Sequence, residues 1–168
     1  RGVVAEKVAM DYPQRVLTLG AFAATAGIKH GLQDQGSWVQ RIGEHGLAQF
    51  LRDTIADRVD LSTARPGFVD WFIDESARTD PELFARFGPM MKAVDFTDRL
   101  HEIRCPMLNV VPGHDPLGAP GHYEVYRQHV PHCEFVVYDG LPHNITDSVP
   151  ERCANDLLQF LRRHRQSQ

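Results

Sequence analysis

The sequence predicts an α/β fold in which a parallel sheet is covered by helices and carries a helical insert. Near both ends of the chain, short apolar runs bounded by glycine or proline alternate with helical patterns. That alternation is typical of a parallel sheet with helices on its faces. Between these two regions, about 70 residues show helical periodicity and no convincing strand. The insert therefore interrupts the sheet.

The first segment predicts a helix followed by a strand. The stretch VVAEKVAMDYP has apolar residues at helical spacing, and Pro13 stops the helix. In RVLTLGAFAA, an apolar run that begins at Val16 predicts a short buried strand that Gly20 ends. Residues 1–30 are therefore assigned to the core of the fold.

The middle segment, residues 31–100, predicts three or four amphipathic helices. The stretches SWVQRIGEHGLAQFLRDTIADRV and RPGFVDWFIDESART carry apolar residues near a 3.6-residue period. In DPELFARFGPMMKAV, Asp80 is expected to cap a helix whose first residue is Pro81. We expect this segment to form a cap over the sheet.

The last segment, residues 101–168, returns to the core. It predicts a strand in CPMLNVVPG, bounded by Pro106 and Pro112, then a helix in GHYEVYRQHV and a second strand in CEFVVYDG. A closing helix follows in VPERCANDLLQFLRRHRQ. The sequence predicts only three strands, and these make a small sheet to carry an insert of about 70 residues.

Composition excludes several classes of protein. Of the 168 residues, 42% are hydrophobic and 24% are charged, as in ordinary globular proteins, and the net charge of −4 argues against a nucleic-acid binder. No apolar run approaches the roughly 20 residues that span a bilayer, and the charged first residues do not resemble a signal peptide. Three cysteines without a CxxC pair favour reduced thiols in the cytoplasm over disulfides or a zinc site.

Two residues that can act together follow two of the three strands. Asp115 follows MLNVVPGH, and His143 follows FVVYDGLP. Because ligands bind beyond the carboxyl ends of parallel strands, both residues are expected at one edge of the sheet. An aspartate beside a histidine fixes one tautomer of the ring and makes it a general base for a nucleophile. We expect an Asp115 oxygen within about 2.6–3.2 Å of a His143 ring nitrogen.

Other interpretations of these residues stay open. Asp115 precedes Pro116, and Asp-Pro is a common turn. His114 is an alternative functional histidine, and His143 is also placed where it can cap the last helix.

These segments resemble the α/β-hydrolase family. IRCPMLNVVPGHDPLG is similar to that family's strand and acid loop, and CEFVVYDGLPHNITDSVPERCANDLLQFL to its last strand, histidine loop and closing helix. VVAEKVAMDYPQRVLTLGAFA resembles the helix after the nucleophile and the next strand, and residues 31–100 resemble the cap. The resemblance implies the C-terminal part of such a sheet, with Asp115 and His143 as catalytic acid and base. It departs at Pro142, where the family usually has glycine before this histidine.

The nucleophile that the resemblance implies is missing. It normally lies in a G-x-S-x-G turn, and no such pattern occurs in this chain. The internal serines fit helix caps or surface positions better; they are Ser37, Ser62, Ser76 and Ser148. The resemblance places the first strands and a serine or cysteine nucleophile upstream, on a complementary N-terminal chain. If the nucleophile directly precedes Arg1, the Arg1 N–H becomes an oxyanion donor and Gly2 the last glycine of the turn; alternatively, one residue intervenes.

The resemblance favours an ester or lactone hydrolase similar to enol-lactonases and small carboxylesterases, with no metal or organic cofactor. Candidates for an apolar acyl pocket lie in the cap, although each can equally pack the cap helices together; they are Trp38, Phe68, Trp71, Phe72 and Met90. Acyl transfer or carbon–carbon bond hydrolysis on the same triad is the alternative chemistry. A non-catalytic, ligand-binding relative of these enzymes is a further alternative. The expected partner is a small ester or lactone, and homo-oligomerisation stays open.

Overall fold

The computed structural model describes residues 2–27, 35–118 and 121–165. Its strands are β1 (Leu19–Phe22), β2 (Met107–Pro112) and β3 (Cys133–Tyr138). Its α-helices are α1 (Gly2–Asp11), α2 (Gln35–His45), α3 (Leu47–Asp53), α4 (Phe68–Ala77), α5 (Pro81–Lys92), α6 (Glu124–His129), α7 (Ile145–Ser148) and α8 (Pro150–His164). Within the described ranges the strands form one sheet in the order β1-β2-β3, with both pairs parallel. The predicted α/β class is confirmed.

Helices cover both faces of this sheet. Side chains from α1 and α6 pack with Leu19 and Met107 in one buried cluster. Side chains from α7 and α8 pack with Leu108 and Val110 in a second cluster. Successive residues of a strand point to opposite faces of a sheet. Because Met107 belongs to the first cluster and Leu108 to the second, the two clusters lie on opposite faces of the sheet at β2. None of the described helices is long and apolar enough to cross a membrane.

The first strand differs from its prediction at both ends. It begins at Leu19, not Val16, because a 3₁₀ turn over Pro13–Arg15 and an exposed Leu17 precede it. Gly20 lies inside the strand and does not end it. A Cβ at Gly20 would lie 3.1 Å from Cδ1 of Leu157 in α8, so the glycine lets that helix pack closely on the sheet.

Among the described residues between β1 and β2 there are four α-helices, in agreement with the predicted number of three or four. The first long helical pattern is split because Gly46 adopts a φ of 80° between α2 and α3. The predicted cap of α5 is confirmed, since the Asp80 carboxylate accepts a hydrogen bond from the Glu82 N–H at 2.9 Å. Phe50, Leu51 and Ile73 form a buried cluster within the insert. The division at residues 30 and 100 stays a prediction.

A buried carboxyl connects α1 to α6. Glu6 is fully buried, and its Oε1 accepts a hydrogen bond from the Tyr126 hydroxyl at 2.7 Å. Its Oε2 has no hydrogen-bond partner among the described residues. Burial raises the pKa of Glu6 to about 7, although the hydrogen bond from Tyr126 opposes the shift. The fold therefore favours the neutral carboxyl.

We expect Glu6→Gln to stabilise the complete protein at alkaline pH. The carboxyl pKa is about 7 in the fold and about 4.3 in an unfolded chain. The contribution of Glu6 to the unfolding free energy is therefore fully present below the pKa of the unfolded chain, and it is lost as the pH rises through the pKa in the fold. The variant should match the parent near pH 4 and exceed its unfolding free energy by about 3–4 kcal/mol at pH 8. Urea denaturation at both pH values measures this; the exposed Glu151→Gln is the control, and a pH-independent difference would contradict it.

Candidate active site

The contact expected between Asp115 and His143 is present. Asp115 lies in the loop after β2, and His143 lies in the loop between β3 and α7. Oδ2 of Asp115 is 2.9 Å from Nδ1 of His143. His114 is exposed, so of these two histidines it is His143 that pairs with the carboxylate. With Nδ1 facing the acid, Nε2 is the ring nitrogen left to exchange protons with another group.

The Asp115 carboxylate is held by three donors. Oδ1 accepts the backbone N–H of Leu117 at 2.9 Å, and Oδ2 accepts the Tyr123 hydroxyl at 2.6 Å in addition to facing His143. Burial by itself would raise the pKa of Asp115, but the hydrogen bond and charge of His143, with the other two donors, bring it below its usual value. The carboxylate therefore stays ionised and can stabilise a protonated imidazole.

The acid is shielded and the base is accessible. The Asp115 side chain is 5% exposed, whereas that of His143 is 32% exposed. His143 borders a cavity of about 190 Å³ that is also lined by Gly2, by residues 22–24 and by residues 144–146. Ala23, in this lining, has a φ of 49°, a left-handed conformation that is costly for residues other than glycine. The first turn of α1 and the base thus share one cavity.

The two loops are joined through their backbones. The N–H of Gly113 donates to the Tyr138 carbonyl at 2.8 Å, and the N–H of His114 donates to the Leu141 carbonyl at 3.1 Å. A Cβ at Gly113 would lie 2.7 Å from the Cα of Asp139. Glycine is therefore required for the acid loop to approach the histidine loop this closely.

The histidine loop is also tied to the insert. The N–H of His143 donates to the Asp57 carbonyl at 3.3 Å, and that of Asn144 to the Arg58 carbonyl at 2.7 Å. The buried Ser148 hydroxyl accepts the N–H of Asp60 at 3.0 Å. Residues 57–60 therefore fix the base against the insert, and Ser148 has a structural contact.

The other predicted site residues are not gathered at this cavity. Arg1 lies outside the described residues, although Gly2 beside it lines the cavity. Trp38 packs on Phe50 and Phe72 joins the same cluster, while Trp71 is 60% and Met90 55% exposed. Phe68 contacts both Trp71 and Phe72, with ring centroids 5.8 and 6.1 Å apart. Their assignment to an acyl pocket stays a prediction.

Two neighbours of Asp115 were not found from the sequence. They are Tyr123, which contacts its carboxylate, and His122, whose ring centroid lies 4.0 Å from that of Tyr123. Burial lowers the pKa of His122, partly offset by the charge of Asp115. A Cβ at Gly118 would lie 2.0 Å from the His122 ring, so this glycine makes room for it. Within the described ranges, no group of three His, Cys, Asp or Glu side chains is placed to hold a metal ion.

The similarity of this chain to known proteins is a similarity of fold. No family model and no curated protein matches the sequence. The enol-lactonase from Burkholderia xenovorans LB400 superposes with a TM-score of 0.81 at 14% identity, covering 95% of this chain and 62% of that chain. A thermophilic esterase from Thermogutta terrifontis, with malate bound, gives 0.77 at 23% identity, covering 97% and 62%. An enzyme that degrades N-acyl homoserine lactones gives 0.74 at 18% identity, covering 94% and 62%.

This chain has the α/β-hydrolase fold. It spans about 62% of the length of these three structures. Its parallel sheet, the helices on both faces and the helices inserted between β1 and β2 agree with the C-terminal part of an α/β-hydrolase, as the sequence resemblance implied.

We expect Gly113→Ala to separate the acid loop from the histidine loop. The added methyl would meet backbone atoms of Asp139, which cannot rotate away. The unfolding free energy of the complete protein should fall by about 1–3 kcal/mol. Gly43→Ala is the matched control, because nothing lies within 4 Å of its Cβ and it sits in α2; it should gain about 0.5–1 kcal/mol. Equal effects of the two changes in chemical denaturation would refute this role of Gly113.

Proposed function

We propose that the complete protein hydrolyses a carboxylic ester or lactone, with His143 as its general base and Asp115 as the residue that orients it. The observation that carries the proposal is the 2.9 Å contact between the two side chains beside an open cavity. Support also comes from the structural neighbours, which include an esterase and two lactone-directed enzymes.

The chemistry follows from which ring nitrogen is free. Nε2 of His143 removes the proton from a serine or cysteine as that nucleophile attacks the ester carbonyl. The protonated ring then gives its proton to the departing alkoxide, and the acyl group remains on the nucleophile. In the second half, Nε2 removes a proton from water as the water attacks the acyl carbonyl, and the ring then returns that proton to the nucleophile as the carboxylic acid leaves. The charge of Asp115 stabilises the imidazolium in both halves.

The start of α1 supplies the second part of the proposed site. Gly2 lies in the same cavity as His143, and the N–H groups at a helix start are oriented to stabilise negative charge. We place the nucleophile directly before Arg1 and assign the oxyanion contact to the backbone N–H of Arg1; in the alternative register, one residue lies between the nucleophile and Arg1. In this proposed arrangement, the attacking atom, the base and the oxyanion donor would all border the cavity beside His143.

A complementary N-terminal segment would complete the sheet. On α1, Val4 and Val8 are 68% and 43% exposed although they lie one helical turn apart on one face, and Leu17 before β1 is 67% exposed. These exposed side chains and the outer edge of β1, which pairs with no other strand among the described residues, present apolar surface that suits a further strand and helix. We assign this surface to the segment that carries the nucleophile.

We also propose that the cap supplies an apolar pocket for the acyl group of the substrate. Its candidate residues are Trp38, Phe68, Trp71, Phe72 and Met90. A cytoplasmic location belongs to the proposal as well, supported by the three cysteines, which are all free thiols.

Replacing the base or its partner should abolish turnover of a p-nitrophenyl ester by the complete protein. Asp115→Asn should lower kcat by about 10⁴-fold, the loss seen for the same change in a serine protease triad, because the ring loses its oriented tautomer. His143→Ala should be at least as harmful.

Matched controls lie next to both residues. Asp139→Asn removes an exposed carboxylate near the same loops, and His114→Ala removes the exposed imidazole beside Asp115; both should retain parental turnover. Undiminished turnover in His143→Ala would remove the assigned base. A complete protein that binds esters without turning them over would instead be a ligand-binding relative.

Residues 1–168 expressed without the upstream segment should not form a stable monomer. The apolar surface on α1 and β1 would be open to solvent, so we expect self-association and a broad thermal transition. Adding the upstream segment should restore a sharp transition and bury more than the roughly 2,000 Å² typical of obligate interfaces. Analytical ultracentrifugation and calorimetry measure both effects; a monomer with a sharp transition on its own would disprove the need for a complement.

A further inference from the structure

A fully buried carboxyl lies beside the first turn of α1. Oε1 of Glu6 accepts the Tyr126 hydroxyl at 2.7 Å. A Cβ built on Gly2 would lie 3.6 Å from the same oxygen and 2.3 Å from Cβ of Ala24. Glu6 therefore lies between the start of α1 and α6. Because Gly2 also lines the cavity beside His143, this carboxyl is close to the place where the nucleophile is proposed.

The other polar groups packed around Glu6 keep one charge state between about pH 6 and pH 9. Burial raises the pKa of Tyr126 and of Tyr123, so both hydroxyls keep their protons. Burial also raises the pKa of the Cys133 thiol to about 11. β1 and β2 carry no ionisable side chain, and Asn109 of β2, buried on this face of the sheet, is uncharged.

The charged side chains at the far end of α1 form a constant background. Asp11 pairs with Lys7 in the same helix and with Arg99 of the 3₁₀ turn over Thr97–Glu102. Hydrogen bonds from both cations lower the pKa of Asp11, so it stays ionised. The positive charge of the amino terminus lowers the pKa of Glu6, and in the complete protein a peptide bond takes its place. Among the described residues around it, Glu6 is thus the group that changes charge near neutral pH.

Ionised Glu6 would disturb the start of α1 in two ways. The N–H groups there are the proposed source of stabilisation for an oxyanion. A negative charge beside them would reduce the positive potential that the oxyanion needs. A buried carboxylate with one donor also requires further hydrogen bonds, and α1 would have to move away from α6 to obtain them from water. Both effects act on the atoms that carry the reaction.

We propose that Glu6 is a positioning residue that, bound to Tyr126, holds the first turn of α1 and the nucleophile before it in the arrangement that attack on the ester requires. The inference rests on the proposed function. The carboxyl acts in its neutral form, which is present below the pKa of about 7 and lost as the pH rises through it. The upper pH limit of activity is then set by α1 and α6, away from the pair of Asp115 and His143.

Glu6→Gln should remove the alkaline fall in turnover. In the complete parental protein, kcat for a p-nitrophenyl ester should fall by about tenfold or more between pH 7 and pH 9, because the neutral form of Glu6 is lost. The variant cannot ionise and should keep its kcat over this range. Near pH 6 the two proteins should agree within about twofold, since the amide is uncharged and can accept from Tyr126. Circular dichroism at each pH checks that both remain folded.

Two further variants separate this role from simple packing. Tyr126→Phe removes the hydrogen bond that lowers the pKa of Glu6, so the alkaline fall should move to higher pH, and kcat at pH 6 should drop about two- to tenfold. Glu151→Gln, on the exposed surface, should keep the parental profile. A structural role alone would lower kcat equally at every pH. An alkaline fall that persists in folded Glu6→Gln, or one that stays in place in folded Tyr126→Phe, would overturn the proposal.

Hydrogen exchange tests the same role without a substrate. At pH 8, the amides in the first turn of α1 should exchange about tenfold faster in the parent than in Glu6→Gln, because ionisation loosens this turn. At pH 6 the two proteins should agree, and the first turn of α8 is the internal control. If these amides behave as expected but no ester is turned over, the proposed function fails and the role of Glu6 stands. Ester turnover with equal exchange at pH 8 would overturn the role of Glu6 and leave the hydrolase.

Discussion

The parallel register of β2 and β3 is the constraint on which the candidate site depends. Pro112 pairs with Tyr138, so the two strands end at the same level. The loops that carry Asp115 and His143 therefore leave the sheet side by side, and Gly113 lets their backbones touch. A shift of one residue in this register would turn every side chain of β3 to the opposite face of the sheet and displace the histidine loop along the acid loop. The contact between Asp115 and His143 is thus a consequence of strand pairing together with the glycine that starts the acid loop.

Burial and hydrogen bonding then determine whether the Asp115 carboxyl is ionised. A carboxylate that is 5% exposed is costly unless it is well supplied with donors. Asp115 has a backbone N–H, a tyrosine hydroxyl and an imidazole, and these keep it ionised. Glu6 shows the opposite outcome: it is fully buried and has one neutral donor, and its pKa rises to about 7. Glu6 is both more deeply buried and less well supplied with donors than Asp115, and the two differences act in the same direction on the pKa.

Much of this architecture could be predicted from the sequence, because glycine, proline and apolar periodicity mark element boundaries locally. The strands before Asp115 and His143, the capping of α5 by Asp80 and the meeting of acid and base all follow from such patterns. The role of Gly20 could not be read in this way, since it depends on Leu157, which is distant in sequence. Tyr123 was missed for the same reason: only the course of the loop after Asp115 brings its hydroxyl back to the carboxylate. The burial of Glu6 against Tyr126 likewise needs the packing of α1 on α6.

The central claim is that His143, oriented by Asp115, activates a nucleophile that lies just upstream of α1. Labelling the complete protein with a fluorophosphonate, which reacts with an activated serine, and in parallel with a chloroacetamide, which reacts with an activated cysteine, tests it most directly when followed by mass spectrometry of the peptides. The account predicts one label, on a serine or cysteine shortly before Arg1, whose rate of formation collapses in His143→Ala and in Asp115→Asn but not in His114→Ala. No label at that place, or labelling at the parental rate in His143→Ala, would contradict it.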